Sequence, residues 1–99
     1  PMELPRAATP SDLAREHIIV AIDSSGRIYY DERIVVDGEL TTGLLPRLAA
    51  NPDRLVIIKA DKSVTYERLI QVIDAIRMAG GVHLALAVER APQSGGVER

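Results

Sequence analysis

The chain contains no cysteine, no tryptophan and no phenylalanine. Without cysteine there are no disulfides and no thiolate metal sites, and the redox compartment leaves no trace. The aromatics are Tyr29, Tyr30 and Tyr66 alone, too few to build a stacking platform for single-stranded nucleic acid or sugar rings. The core must therefore be assembled from Ile, Leu, Val and Ala. His17 and His83 are isolated and show no metal-ligand spacing. Charge is also lacking in sign: 12 basic residues against 14 acidic ones leave a net −2, which does not favour a polyanion-binding surface. No apolar run approaches the roughly 20 residues a membrane-spanning helix needs, and no signal-peptide pattern is visible. The opening Pro1-Met2-Glu3 reads as a cut from a longer protein, so this constrains the 99 residues in hand and leaves the parent open.

What is present is densest between Leu55 and Gly81. Leu55 to Ala60 is a short apolar run enriched in β-branched residues, the mark of a buried strand. Thr65 is placed to cap a helix. Tyr66, Leu69, Ile70, Ile73 and Ile76 then recur at the three- and four-residue spacing of one helix face, with Glu67, Arg68, Gln71, Asp74 and Arg77 opposite. Glu67 in the first turn and Arg77 in the last carry the signs that suit the helix dipole. Gly80 is expected at the left-handed position past the helix end, and Val82 to Val88 reads as a strand.

Upstream, residues 1–16 hold three of the six prolines, Pro1, Pro5 and Pro10, and are expected to form a linker. A strand is expected over His17–Asp23. The turn cluster Asp23-Ser24-Ser25-Gly26 follows, then β character over Arg27–Tyr30, a turn at Asp31-Glu32 and a short strand over Arg33–Val36. Asp37 is a candidate helix cap. Leu40, Leu44, Leu45, Leu48 and Ala49 supply an apolar stripe, ended by Asn51-Pro52-Asp53. Gly43 and Pro46 predict a kink in that helix or a late start. Residues 91–99 are expected to form a flexible tail. The order β-β-β-α-β-α-β, with one apolar face on each helix, predicts an α+β two-layer sandwich. Its mixed sheet carries both helices on one face, and its last two strands run parallel and adjacent.

Tests for chemistry return little. Asp61, Lys62 and Ser63 stand at a strand's carboxyl end, where open α/β sheets often place ligands. No glycine-rich phosphate loop precedes Lys62, and Ser63 has neither a G-x-S-x-G context nor an evident base. A joint between strand and helix accounts for all three. Asp23, Asp31, Glu32, Asp37 and Glu39 are explained by turns and caps, and no calcium-loop spacing occurs. No catalytic, cofactor-binding or metal-binding residue is assigned, and an interaction domain is expected rather than an enzyme.

The run Ile58-Lys59-Ala60-Asp61-Lys62-Ser63-Val64-Thr65-Tyr66-Glu67, with Val72-Ile73-Asp74 and Ala79-Gly80 after it, closely resembles the ExbD/TolR family of biopolymer-transport proteins. Leu4-Pro5, Gly26 with Ile28, and Asn51-Pro52-Asp53 fit the same template more loosely. The likeness covers roughly residues 4–90. It implies a periplasmic domain, spanning about residues 17–90, of a single-pass bacterial inner-membrane protein with one helix outside this sequence. It also implies assembly with an ExbB- or TolQ-like membrane subunit into a motor driven by the proton-motive force. Further implications are homodimerisation and engagement of a TonB- or TolA-like protein, with peptidoglycan a further partner of TolR-type members. The family's proton-handling aspartate lies in the membrane helix, so no aspartate here inherits that role. Two departures from the family pattern stand out: Gly43 and Pro46 within the first helix, and Gly81, where a bulkier residue is usual and a looser last turn is expected.

A sheet covered on one face must manage its edges. Two strands are candidates for strand addition by a partner or a second copy: the last one, with Leu84, Leu86 and Val88, and the first, with Ile18, Val20 and Ile22. Asp61 and Lys62 are candidates to meet a partner as well. A small ligand site at Asp61, Lys62 and Ser63, or direct glycan binding, stays open as the competing reading.

Overall fold

A computed structural model describes residues 17–89; the expected linker over 1–16 and tail over 91–99 lie outside the described residues. The strands are β1 (Ile18–Ile22), β2 (Ile28–Tyr30), β3 (Arg33–Val35), β4 (Leu55–Asp61) and β5 (His83–Glu89), with helices α1 (Asp37–Ala50) and α2 (Tyr66–Met78) between the later ones. The element order matches the expectation.

Local chemistry sets the first two hairpins. The Asp23 carboxylate accepts from the backbone N–H groups of Ser25 at 2.9 Å and Arg27 at 3.0 Å. Gly26, at φ +86°, donates to the Asp23 carbonyl, a conformation that costs glycine little. The β2–β3 connection is a two-residue turn in which both Asp31 (φ 57°) and Glu32 (φ 65°) are left-handed. That backbone suits the twist of paired strands, although glycine or asparagine usually fills it.

Asp37 is not the cap of α1. Val36 holds that position, Asp37 is the first helical residue, and the Glu39 carboxylate reaches back to accept from the Val36 N–H at 2.9 Å. The helix starts on time and runs through both Gly43 and Pro46. Gly43 has a packing reason: a Cβ there would lie 3.1 Å from the Tyr30 ring. Leu40, Leu44 and Leu48 are buried because an every-fourth-residue row stays on one face. Leu45 and Ala49, one step around the helix, are exposed.

Thr65 caps α2, its hydroxyl accepting from the Arg68 N–H at 3.0 Å. The buried stripe is turned from the expected one. Val72, Ala75 and Ile76 are buried, with Leu69 and Ile73 packed beside them, whereas Tyr66 is 77% exposed and Ile70 also faces outward. Leu69, Val72, Ile73 and Ile76 satisfy the same helical spacing, so periodicity alone could not choose between the two stripes. Gly80 takes φ +102°, and the N–H groups of Gly80 and Gly81 donate to the carbonyls of Arg77 and Ile76, closing α2 with paired bonds of the Schellman type. Gly81 tightens this turn rather than loosening it: a Cβ would lie 2.6 Å from Ile76 Cγ2 and 3.2 Å from the Ile76 carbonyl.

The sheet order is β3-β2-β1-β4-β5. β1 runs antiparallel to β2 and parallel to β4, and β5 is parallel to β4 with Val56 beside Leu84 and Ala60 beside Val88. Ile18, Val20, Ile22, Ile28, Val56, Ile58 and Ala60 share one sheet face and form one core with residues of both helices. Thr41 of α1 donates to the Ala75 carbonyl of α2 at 2.8 Å, tying the helices together. No described element covers the opposite sheet face.

Candidate functional site

The segment from Ala60 to Thr65 is a built joint. Ser63 donates both its backbone N–H, at 2.9 Å, and its hydroxyl to one carboxylate oxygen of Asp61. Val64 N–H donates to the Asp61 carbonyl and Lys62 N–H to the Glu89 carbonyl at 2.7 Å. Asp61 thereby shapes the turn by which β4 enters α2, a common use of a short acidic side chain. The Lys62 side chain points into solvent. The Ser63 hydroxyl is engaged by the Asp61 carboxylate as a local turn bond. Asp61 does line a shallow depression of about 220 Å³ on the uncovered face, with Ala21, Asp23, Tyr29, Lys59 and Glu89. Among the described residues no group of carboxylates and histidines is arranged to hold a metal ion.

Two polar clusters surround the joint. Asp23 accepts from Ser25, from the Arg27 backbone and guanidinium, and from the Tyr29 hydroxyl at 3.0 Å. Burial pushes its carboxyl up. The hydrogen bonds from the Arg27 backbone, the Tyr29 hydroxyl, the Arg27 side chain and the Ser25 backbone outweigh that and hold it below its ordinary value. The second cluster was not legible in the sequence, where Arg68 reads as a solvent-facing helix residue. Its guanidinium forms a fork on Asp37 at 2.9 and 3.0 Å, donates to the Gly26 carbonyl at 2.9 Å and reaches Gln71 at 2.8 Å. One side chain thus ties the β1–β2 turn, the start of α1 and the first turns of α2 together. No periodicity or motif pairs residues 31 apart in the chain.

The strand candidates fare differently. Ile18, Val20 and Ile22 are core residues, and β1 sits mid-sheet with β2 on one side and β4 on the other. Neither edge of β1 can accept another strand. With both edges paired, strand addition there is excluded. β5 is an edge strand of seven residues. Leu84 packs against the core, whereas Leu86 is 49% and Val88 61% exposed although they point to the helix-bearing side. The two helices do not extend over the outer end of that strand.

The pairing direction also shows which backbone groups of β5 have no partner among the described residues. The Glu89 carbonyl points toward β4, where it accepts from Lys62. Backbone polar groups alternate along a strand, so His83, Ala85, Ala87 and Glu89 direct theirs at β4. Leu84, Leu86 and Val88 direct theirs away from the sheet. The other edge, β3, is only three residues long, one of the ways in which proteins blunt an edge.

Residues 1–91 match the family described as biopolymer transport protein ExbD/TolR. A putative biopolymer transport protein ExbD of Synechocystis is 30% identical over 86 residues, covering 87% of this chain and 32% of that protein. The biopolymer transport protein ExbD of Escherichia coli K12 is 24% identical over 82 residues, covering 83% of this chain and 58% of the relative. The chain spans well under two thirds of the length of either relative.

Proposed function

Because the chain belongs to the biopolymer transport protein ExbD/TolR family, we propose that residues 17–89 form the periplasmic coupling domain of a proton-motive-force-driven inner-membrane motor. The domain does no covalent chemistry. Its parent joins an ExbB- or TolQ-like membrane subunit through a membrane helix outside this sequence. The domain dimerises and engages an extended segment of a TonB- or TolA-like protein. No helix among the described residues is long and apolar enough to cross a membrane, so the motor's ion path is assigned to other parts of the assembly.

The observation that carries this reading is the free edge of β5. Its outward N–H and C=O groups provide a template for main-chain hydrogen bonding, and alternate side chains provide selectivity. A strand laid along it sets every second side chain against Leu84, Leu86 and Val88, which favours apolar residues there. The others lie beside Ala85 and Ala87, which leave room for larger groups. Asp61 and Lys62, at the carboxyl end of the neighbouring strand, are proposed as a further contact for such a segment where it runs past the end of β5.

The test is a titration of the 15N-labelled chain with overlapping peptides that tile the periplasmic part of a TonB- or TolA-like protein from the same organism. Amide shifts centred on residues 84–88 are expected for one peptide. If no peptide moves β5, docking by strand addition at this edge is wrong. The competing reading, a small-molecule or peptidoglycan-fragment site, draws on the depression beside Asp61. It requires Lys62→Ala to abolish binding of that ligand while leaving the fold intact, and it places the shifts at residues 59–63.

A further inference from the structure

We propose that a cavity at the amino-terminal end of β1, lined by His17, Ile19, Tyr29, Asp31, Glu32 and Arg47, binds a free α-amino acid with an apolar side chain. The site is independent of the β5 edge and distinct from the depression beside Asp61. β2 stops at Tyr30, level with Val20, so the first residues of β1 run on past the Asp31-Glu32 turn. That step is too short for another strand. It forms a cavity of about 330 Å³, at the low end of the range for ligand pockets, which suits a molecule the size of a single amino acid.

The chemistry of the lining is bipolar. At one pole, the Nδ1 of His17 is shut off from solvent and has no hydrogen-bond partner among the described residues. A buried polar atom left unpaired is costly, and one in the wall of a cavity calls for a polar ligand atom. Arg47 is prearranged in the same lining. Its guanidinium donates to the Tyr30 hydroxyl at 3.0 Å and stands 5.9 Å from the centre of that ring. The Tyr30 ring is in turn seated against Gly43, where a β-carbon would lie 3.1 Å away. Only one bond of the guanidinium goes to Tyr30, and its other N–H groups match the fork of a carboxylate.

The opposite pole is the turn. Asp31 and Glu32 both hold a left-handed backbone, at φ 57° and 65°, which glycine would adopt at less cost. The turn keeps two carboxylates instead, and neither forms an ion pair among the described residues. Backbone strain of this kind gathers where side chains serve a site. The carboxylates and the guanidinium thus line one cavity without neutralising each other. A purely anionic ligand would meet the carboxylates, and a purely cationic one the guanidinium, so the class that complements both poles is a zwitterion. Ile19, Ala21 and the Tyr29 ring supply the apolar wall for its side chain.

The test is titration of the 15N-labelled 99-residue chain with L-leucine, leucinamide and isocaproate, the last two lacking the carboxylate and the ammonium respectively. Leucine is expected to bind with a dissociation constant below about 1 mM and to shift the His17 imidazole and the amides of Ile19, Asp31 and Glu32. Each truncated compound should bind at least about tenfold more weakly, the loss of one charge-assisted contact. Arg47→Ala should weaken leucine about tenfold and leave leucinamide unchanged, a selectivity that general damage to the fold would not produce. Asp31→Asn combined with Glu32→Gln should weaken leucine without weakening isocaproate. Lys62→Ala should change none of these affinities. No shift at residues 17–32 with about 10 mM leucine, or equal binding of all three compounds, would overturn the proposal. Shifts centred on residues 59–63 would place the ligand beside Asp61 and would also overturn it.

Discussion

Replacing Arg68 by alanine should cost about 2–3 kcal/mol, more than an ordinary helix-surface substitution. The Arg68–Asp37 fork is short and bidentate, but the two side chains are 24% and 41% exposed, so solvent screening holds the pair itself to about 0.5–1 kcal/mol. The bond to the Gly26 carbonyl uses a charged donor and adds about 1.5 kcal/mol. The aliphatic stem lies against Gly26, 3.5 Å from where a Cβ would stand there, and its loss contributes several tenths of a kcal/mol more by area. Asp37→Asn removes the charge and keeps one acceptor oxygen, so about 0.5–1 kcal/mol is expected. Arg68→Lys keeps charge and stem and loses the planar fork, and should fall between the two. Urea unfolding of the four chains, with the double mutant closing the cycle, gives each value at unchanged m. The double-mutant coupling should be about 0.5–1 kcal/mol, with the larger share of the Arg68 effect independent of Asp37. If Arg68→Ala costs less than about 0.5 kcal/mol, within the range of unremarkable surface changes, the clamp is a feature of geometry without energetic weight.

Three further outcomes follow from the backbone and the charges. Glu32 sits at φ 65°, where a β-carbon costs about 1–2 kcal/mol; part of that returns as unfolded-state entropy in glycine. Glu32→Gly should therefore raise stability by about 0.5–1 kcal/mol, seen as a higher melting temperature, with Glu32→Ala giving no gain. Gly81→Ala should destabilise by about 1–3 kcal/mol through overpacking against Ile76, and a neutral result in denaturant titration would contradict the contact. Asp23 has a depressed folded-state pKa, so its contribution is present above its unfolded value near pH 3.9. That contribution is lost as pH falls through the lower folded value. Acid titration of stability should be shallower below about pH 4 in Asp23→Asn; an unchanged acid limb would mean that the turn hydrogen bonds do not discriminate between protonation states.

Much of this fold is legible because its elements announce themselves locally. Alternation and β-branching mark the strands, Thr65 and Gly80 bracket α2 by cap chemistry, and Asn51-Pro52-Asp53 stops α1. The parallel β4–α2–β5 unit follows from the handedness of crossovers. The Asp61 turn is legible for the same reason: a short acidic side chain bonding two residues ahead is local chemistry.

What the sequence could not decide is whatever depends on what lies across space. Two helical stripes on α2 have equal periodicity, and only packing against α1 and β4 selects Val72 over Tyr66. The apolar β1 strand reads as an interface candidate until its place mid-sheet shows both edges filled. Gly43 and Gly81 look like interruptions until the Tyr30 ring and the Ile76 side chain are seen to occupy the space a β-carbon would need. Arg68 reads as a solvated charge until two distant segments, the β1–β2 turn and the start of α1, converge on it. The sequence by itself determined the elements, their order and the family. Tertiary structure alone decided which strand keeps a free edge, because edge position is a property of strand order, which the local pattern of a strand does not encode.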